Sequence, residues 1–269
     1  MEDPIKISVL GASGRMGRML LKAVMQNEKT ILVGATEQDG HEWIGQDVGK
    51  LALGKKNGVL VSNQPHEIFL KSHAIIDFTH PDVSVNYSVL SAQARIVHVI
   101  GTTGFSKLQL EKIELAAQHA TIVRAGNMSV GVNLLTQLTQ RVAKALGEEY
   151  DIEILEMHHN KKIDAPSGTA LMLGQAAANG RGRPLSDPSE KSIFNLKTER
   201  QKGSIGFASL RGGDVVGEHD VIFSSLGERI ILRHVATDRM IFARGAVLAA
   251  IWGIGKSPGA YDMLDVLNL

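Results

Sequence analysis

"IKISVLGASGRMG", residues Ile5–Gly17, opens with apolar and β-branched residues and then sets Gly11, Gly14 and Gly17 three positions apart. Ile5–Ala12 reads as a buried strand, and Arg15–Gln26 ("RMGRMLLKAVMQ") continues with apolar residues at helical spacing. Glycine at a strand-to-helix junction permits a tight turn, lets the backbone approach a phosphate and allows close packing of helix on strand. The start of the helix then offers unpaired N–H groups and a positive dipole end to an anion. The spacing is GxxGxxG rather than the usual GxGxxG, so alone it is a weak signal beside a glycine-rich turn that binds nothing.

The residues that follow strengthen it. A second strand, Thr30–Glu37 ("TILVGATE"), ends in Glu37, where an acidic side chain would bind the adenosine ribose hydroxyls of a dinucleotide. Its charge would repel a 2′-phosphate, and the next residue is Gln38, not an arginine that would attract one. Further strand-like runs occur at Ala74–Thr79, Arg95–Gly104 and Ala120–Asn127, with helical stretches at Val83–Ala92 and Lys107–His119. Strands alternating with helices predict a Rossmann-type, doubly wound parallel sheet. "GTTG" (Gly101–Gly104) ends one of these strands and would edge the ligand crevice of such a sheet.

Beyond Asn127 the pattern changes. Val132–Leu146 reads as a helix, and "YDIEILEMHH" alternates as a half-exposed strand does. Pro166 ends that segment, and Ser167 or Thr169 would cap a helix over Ala170–Ala178. From Gly203 to Val235 the sequence is β-like with glycine-containing turns, which predicts an antiparallel or mixed sheet. Arg239–Ile254 ("RMIFARGAVLAAIWGI") is helical, apolar on most sides, and expected to pack on the first sheet. The expected organisation is a nucleotide domain over 1–129 and 239–269, with an α+β substrate and oligomerisation domain over 130–238. Asn179–Ser192 reads as a polar, mobile loop.

Composition narrows the classes of function. With 29 Lys and Arg against 28 Asp and Glu, the formal charge of +1 gives no case for nucleic acid or an anionic membrane as main partner. Cysteine is absent, which rules out disulfides, thiolate nucleophiles and cysteine-bound zinc. No signal or transit pattern opens the chain and no apolar run reaches membrane-spanning length, so a soluble cytoplasmic protein is expected.

"EMHHNKKIDAPSGTA" (Glu156–Ala170) concentrates titratable groups. Consecutive residues on a strand point to opposite faces, so His158 and His159 are poorly placed to share one ion. Two lysines nearby oppose a dication, and no metal is expected. A solvated charged loop is the plain alternative. Against it, the Ser-Gly-Thr helix start forms a second anion-binding terminus, and a lysine and a histidine beside a bound carboxylate can donate protons.

This stretch resembles the signature E-x-H-H-x-x-K-x-D-A-P-S-G-T-A of the 4-hydroxy-tetrahydrodipicolinate reductases, or dihydrodipicolinate reductases, of bacterial lysine biosynthesis. "GASGRMG", "DFT" (Asp77–Thr79), "GTTG", "GNMSVGVN" (Gly126–Asn133) and "SLRGGDVVGEH" (Ser209–His219) match in family order, and the likeness covers essentially the whole chain. It implies hydride transfer from NADH and/or NADPH to a cyclic dicarboxylate, in a homotetramer. By motif position it makes His158 the proton donor/acceptor and Lys162 the proton donor, with His159, Gly168 and Thr169 on the substrate carboxylates. Gly11, Ala12, Ser13, Gly14, Arg15, Met16, Glu37, Gly101, Thr102, Thr103, Ala125, Gly126, Asn127 and Met128 would contact the dinucleotide. Lys161 falls where the signature is open and reads as a surface lysine. Two other classes compete: a non-catalytic nucleotide-binding sensor on the same fold, and a dehydrogenase of another substrate. A sensor has no use for His158, Lys162 and the Ser-Gly-Thr turn together.

Overall fold

The glycine-rich stretch folds as strand β1 (Ile5–Leu10), a turn, and helix α1 (Arg15–Gln26). The structure is a computed structural model that describes residues 3–185 and 199–269. Its chain divides into two units, Met1–Val130 with Arg239–Leu269, and Gly131–Asp238.

In the first unit β1 is followed by β2 (Thr30–Thr36), α2 (Val48–Leu53), β3 (Val61–Ser62), α3 (Pro65–Lys71) and β4 (Ala74–Asp77). Then come α4 (Pro81–Ala94), β5 (Val97–Ile100), α5 (Lys107–Ala117) and β6 (Thr121–Arg124). The C-terminal segment adds α8 (Met240–Gly253), β11 (Gly259–Tyr261) and α9 (Met263–Leu267). The seven strands form one sheet in the order β11-β6-β5-β4-β1-β2-β3, parallel throughout. Strand order reverses at β1, the topological switch point at which doubly wound sheets bind ligands. Leu20, Leu21 and Val24 of α1 and Ala243, Ala246 and Ala250 of α8 are buried in one core with Ile7, Val9, Ile76 and Val99. The terminal apolar helix therefore covers the first sheet, as its composition predicts.

Strands β4, β5 and β6 are shorter than their apolar runs. At β4 the cause is local: the Asp77 carboxylate accepts the N–H and the hydroxyl of Thr79, which turns the chain out of the sheet. Helices α2, α3 and α9 and strands β3 and β11 have no counterpart in the periodicity. The Asp47 carboxylate caps α2 and gathers the N–H groups of Lys50, Asn57 and Gly58, a side-chain device that leaves no apolar period.

The second unit holds α6 (Val130–Ala145), β7 (Asp151–His158), α7 (Gly168–Gly180), β8 (Ile205–Arg211), β9 (Gly217–Ser225) and β10 (Glu228–Ala236). Its sheet runs β10-β9-β7-β8; β7 and β8 are parallel and the other pairs antiparallel, so the sheet is mixed. One face buries Ile152, Ile154, Phe207, Val221 and Phe223 with Leu173 and Ala177 of α7 and Leu135 and Ala143 of α6. The outward positions carry Ile231, Val235 and Leu210, 52%, 46% and 42% exposed, an apolar surface without a cover in one chain. Of the polar segment Asn179–Ser192, the first two residues finish α7, and 186–192 lie outside the described residues. No helix among the described residues is long and apolar enough to cross a membrane.

Candidate active site

In the first unit, the residues named for the nucleotide lie at the C-terminal ends of the parallel strands. Gly11 takes φ +65, a left-handed conformation that favours glycine, and so turns the chain sharply out of β1. A methyl group on Gly17 would fall 2.1 Å from the Gly11 carbonyl oxygen and 2.8 Å from Ala12, so α1 seats directly on the turn only with glycine there. Gly14 caps the helix without any side-chain acceptor, which leaves the N–H groups of the first turn available to an anion. Ala12 is buried and Arg15 exposed, while Met16 packs against the core. Glu37 follows β2 and reaches back to this turn: its Oε1 accepts the Ser13 N–H at 2.7 Å, and its Oε2 accepts the Gln38 N–H at 3.2 Å. Arg18, which sequence reasoning did not single out, braces the turn by donating to the Ser13 carbonyl at 2.8 Å and lying 4.4 Å over the Trp43 ring.

Gly101 follows β5, and a methyl there would strike the Phe78 ring at 2.2 Å. Thr102 is buried and accepts from the Ser84 hydroxyl at 2.9 Å, whereas Thr103 is exposed. Ala125 follows β6, Asn127 accepts the Ser129 N–H at 2.8 Å, Gly126 is exposed and Met128 is buried. All four segments named for the dinucleotide thus leave the same edge of the sheet. A tight glycine turn, an uncapped helix start and an acidic side chain after β2 fit the pyrophosphate and ribose of a nicotinamide dinucleotide.

In the second unit, a cluster of acid–base groups lies at the end of β7. Alternation places Ile152, Ile154, Glu156 and His158 on the inner face, so the strand that begins in the apolar core ends in two buried ionisable groups. Glu156 Oε2 lies 2.5 Å from His158 Nδ1. Arg211 at the end of β8 grips the same carboxylate with both terminal nitrogens, at 2.8 and 2.9 Å, and the Ser167 N–H donates to Oε1 at 3.2 Å. Burial alone would raise the Glu156 carboxyl, but hydrogen bonds from His158, Arg211 and Ser209 outweigh it and bring it to about 2. A carboxylate so held only accepts, so His158 carries a proton on Nδ1 and presents Nε2 for chemistry. Beside that atom is Gly217, where an added methyl would stand 3.0 Å from Nε2.

His219 packs edge-on to His158, with ring centroids 5.1 Å apart, and its Nε2 is 3.1 Å from the Ser167 hydroxyl. Burial, then the neighbouring His158, lowers His219 to about 4, so it is neutral near pH 7. Ser167 also caps α7 by accepting the Ala170 N–H at 3.2 Å, as the sequence predicts for one of two candidates. Gly168 and Thr169 form the first turn of α7, which carries no acidic residue, and His159 is half-buried just past β7. Lys162 is bound to both oxygens of Asp164 at 2.8 Å; these bonds hold the Asp164 carboxyl below its ordinary range. Arg211 joins this loop to the cluster through the carbonyls of Lys162 and Asp164, at 3.3 and 2.6 Å. Among the described residues no group of three or more His, Asp or Glu side chains converges to hold a metal ion.

The structure therefore adds Glu156, Arg211, His219 and Gly217 to the site residues named from sequence, and gives Ser167, named there as a cap candidate, contacts to Glu156 and His219. Glu156 was legible, since strand alternation puts it two positions from His158 on one face. Arg211 and His219 reach the cluster through strand register alone: His158 pairs with Arg211 across β7–β8, and Glu156 with His219 across β7–β9.

Comparison with known proteins identifies the family. The family model described as dihydrodipicolinate reductase, N-terminus, matches residues 5–128, and its C-terminus counterpart matches residues 131–267. The 4-hydroxy-tetrahydrodipicolinate reductase of Dinoroseobacter shibae is 58% identical over 269 residues, covering 100% of both chains. That of Brucella abortus is 54% identical over 262 residues, covering 97% of this chain and 98% of its own. Among solved structures, a dipicolinate-bound dihydrodipicolinate reductase from Paenisporosarcina sp. TG-14 aligns with a TM-score of 0.78 at 27% identity, over 97% of this chain and 98% of that one. An amine dehydrogenase from Mycobacterium smegmatis, 12% identical with a TM-score of 0.60 over 95% and 94% of the two chains, shares the fold alone. With both halves of the chain matched and relatives alike along their full length, this chain belongs to the dihydrodipicolinate reductase family.

Proposed function

We propose that the chain reduces a cyclic, unsaturated dicarboxylate of the 4-hydroxy-tetrahydrodipicolinate type to tetrahydrodipicolinate, with His158 and Lys162 handling protons. The observation that carries this reading is the 2.5 Å contact of His158 Nδ1 with a buried carboxylate, which reserves Nε2 for the substrate. A bound reduced nicotinamide supplies the hydride. The chain's own groups must then meet the negative charge that hydride addition leaves on the ring. His158 Nε2 is assigned proton exchange with the ring, and Lys162 the delivery of a proton, its ammonium being oriented meanwhile by Asp164. The first turn of α7, at Gly168 and Thr169, and His159 are assigned the carboxylates; the helix terminus suits an anion for the same reason as α1 does.

On the nucleotide side Gly11–Met16 are assigned the pyrophosphate, Glu37 the adenosine ribose, and Gly101–Thr103 with Ala125–Met128 the remaining contacts. Both NADH and NADPH are expected to serve, with NADH at least as good, because Gln38 offers no cation to a 2′-phosphate. The reading also includes a cytoplasmic homotetramer, supported by the uncovered apolar positions Leu210, Ile231 and Val235 on the outer face of the second sheet.

The test is a coupled assay in which a synthase supplies the substrate and NADH absorbance is followed. No oxidation above background would sink the proposed activity. Lys162→Ala should cut turnover by roughly 10²-fold or more while NADH affinity holds. Loss of NADH binding in a folded Lys162→Ala protein would show that the role belongs elsewhere.

A further inference from the structure

The acid–base roles above leave unused a second buried polar group, in the first unit. Asp77, the last residue of β4, and His98 on β5 are both fully buried in the middle of the parallel sheet, with Asp77 Oδ2 3.3 Å from His98 Nε2. Their other bonds lead outward to two loops. Asp77 Oδ1 accepts the N–H of Thr79 at 2.8 Å and its hydroxyl at 2.6 Å. His98 Nδ1 lies 3.3 Å from the Ser88 hydroxyl, which donates to the Ser84 carbonyl at 2.8 Å. The Ser84 hydroxyl in turn donates to Thr102 at 2.9 Å. The path thus runs from Thr79, after β4, through the sheet and α4 to Thr102, after β5. Thr79 also abuts the glycine turn: a methyl on Gly11 would touch its Cγ2 at 3.0 Å.

Ser88 spends its one hydrogen on Ser84, so toward His98 it accepts, and the Asp77 carboxylate also accepts. Both ring nitrogens of His98 therefore face acceptors, one of them the Asp77 carboxylate. A buried polar pair of this kind contributes little to stability compared with apolar residues of the same size, so the fold alone does not call for it. Its position does suggest a use, because it links Thr79 and Thr102 from beneath, beside the backbone bond from the Gly101 N–H to the Asp77 carbonyl.

We propose that the Asp77–His98 pair is a positioning device, which fixes the loops after β4 and β5 at Thr79 and Thr102 and so aligns the nicotinamide end of the cofactor. This rests on the assignment of Gly101–Thr103 to the dinucleotide. The glycine turn and Glu37, which hold the adenosine end, are outside the hydrogen-bond path, so the two ends of the cofactor should respond differently.

The experiment compares NADH with ADP, which carries only the adenosine end, by calorimetric titration of the full-length protein. Three variants are used: Asp77→Asn, the double variant Asp77→Asn/His98→Gln, and Ser84→Ala. The double variant replaces both partners together, so it keeps the test open where one unmatched buried group prevents folding. Ser84→Ala removes the hydroxyl that reaches Thr102 and a hydrogen bond to Asp77 while leaving the Asp77–His98 contact in place. NADH should weaken by about 10-fold in each while ADP stays within about 2-fold, and hydride transfer should slow by about 10²-fold from misalignment of the ring. Unchanged NADH affinity in all three variants, or a parallel loss of NADH and ADP, would each overturn the proposal. Failure of the wild-type protein to bind either nucleotide would overturn the cofactor assignment, and the proposal with it.

Discussion

Replacing Glu156 by glutamine tests the acid–base assignment most directly, since it changes no heavy-atom count and removes one charge. The carboxylate takes hydrogen bonds from His158 at 2.5 Å, from Arg211 at 2.8 and 2.9 Å, and from the Ser167 N–H at 3.2 Å. An amide keeps one accepting oxygen, so its NH2 group must face a donor, either the guanidinium or the imidazole N–H. The fall of the Glu156 carboxyl from 4.5 to about 2 corresponds to about 3 kcal/mol in favour of the charged form. The Arg211 side chain is 20% exposed and can recover some hydration once unpaired, so about 2 kcal/mol of lost stability is expected. The sign with pH follows. A depressed carboxyl contributes stability above its unfolded value of 4.5 that disappears as pH falls toward 2, and Glu156→Gln should remove that part of the acid limb.

The effect on turnover should exceed the effect on stability. Without a charged acceptor at Nδ1 the His158 proton is no longer confined to that nitrogen, and the fraction of rings with a competent Nε2 falls. General acid–base catalysis is worth about 10²–10⁴-fold, and a kcat loss of about 10²-fold with a smaller change in KM is expected. Glu156→Asp keeps the charge but shortens the reach, and should recover part of the loss. Thermal melts, steady-state kinetics and nitrogen NMR of the His158 ring make the three readouts. A folded Glu156→Gln enzyme with kcat within about 3-fold of wild type and an unchanged His158 tautomer would refute the reasoning.

Gln38→Arg should raise the preference for NADPH over NADH by about 10-fold, by adding a charged hydrogen-bond partner for a 2′-phosphate; an unchanged ratio would show that Gln38 does not border that group. Gly217→Ala should lower kcat/KM by about 10-fold through crowding of His158 Nε2, at a stability cost under about 1.5 kcal/mol; full activity would mean that this side of the ring is not where substrate approaches. His219, lowered from 6.5 to about 4, favours the folded state while neutral, so its contribution is complete above pH 6.5 and is lost as pH falls toward 4. Urea denaturation at a series of pH values should therefore show a slope in that window, worth about 3 kcal/mol at most, that His219→Gln flattens; an equal slope in the variant would rule His219 out as its source.

The parts of the fold most legible in the sequence were those governed by a period. Helix α1 spans the residues its apolar spacing implies, and the alternation of β7 runs through to His158. Ends set by side chains were less legible: β4 stops at Asp77 because that carboxylate captures Thr79, an event that hydrophobicity does not record. Helix α2 depends on Asp47 in the same way. In the site, the resemblance drew attention to His158 and Lys162, but it did not say what orients them. Glu156 and Asp164, which orient them, lie two positions away in the same stretch, whereas Arg211 and His219, which complete the cluster, lie more than fifty positions beyond His158 and arrive by strand pairing. Asp77 was visible in its motif, whereas His98 sat unnoticed inside an apolar run, its polarity hidden by the valines and isoleucines around it.

Strand β7 gives half its inward positions to the core and half to chemistry, with no loop between Ile152–Ile154 and Glu156–His158. From Ile152 to Met157 the strand is paired on both sides, to β8 and β9, and His158 continues the pairing to β8. Exchange of the interior amides with solvent should consequently be among the slowest of the second unit, and the reactive histidine takes its backbone position from the last rung of that ladder. Drift of the imidazole is thereby limited by the pairing of the strand that carries it, so that the bonds which hold the sheet together also serve as a ruler for proton transfer.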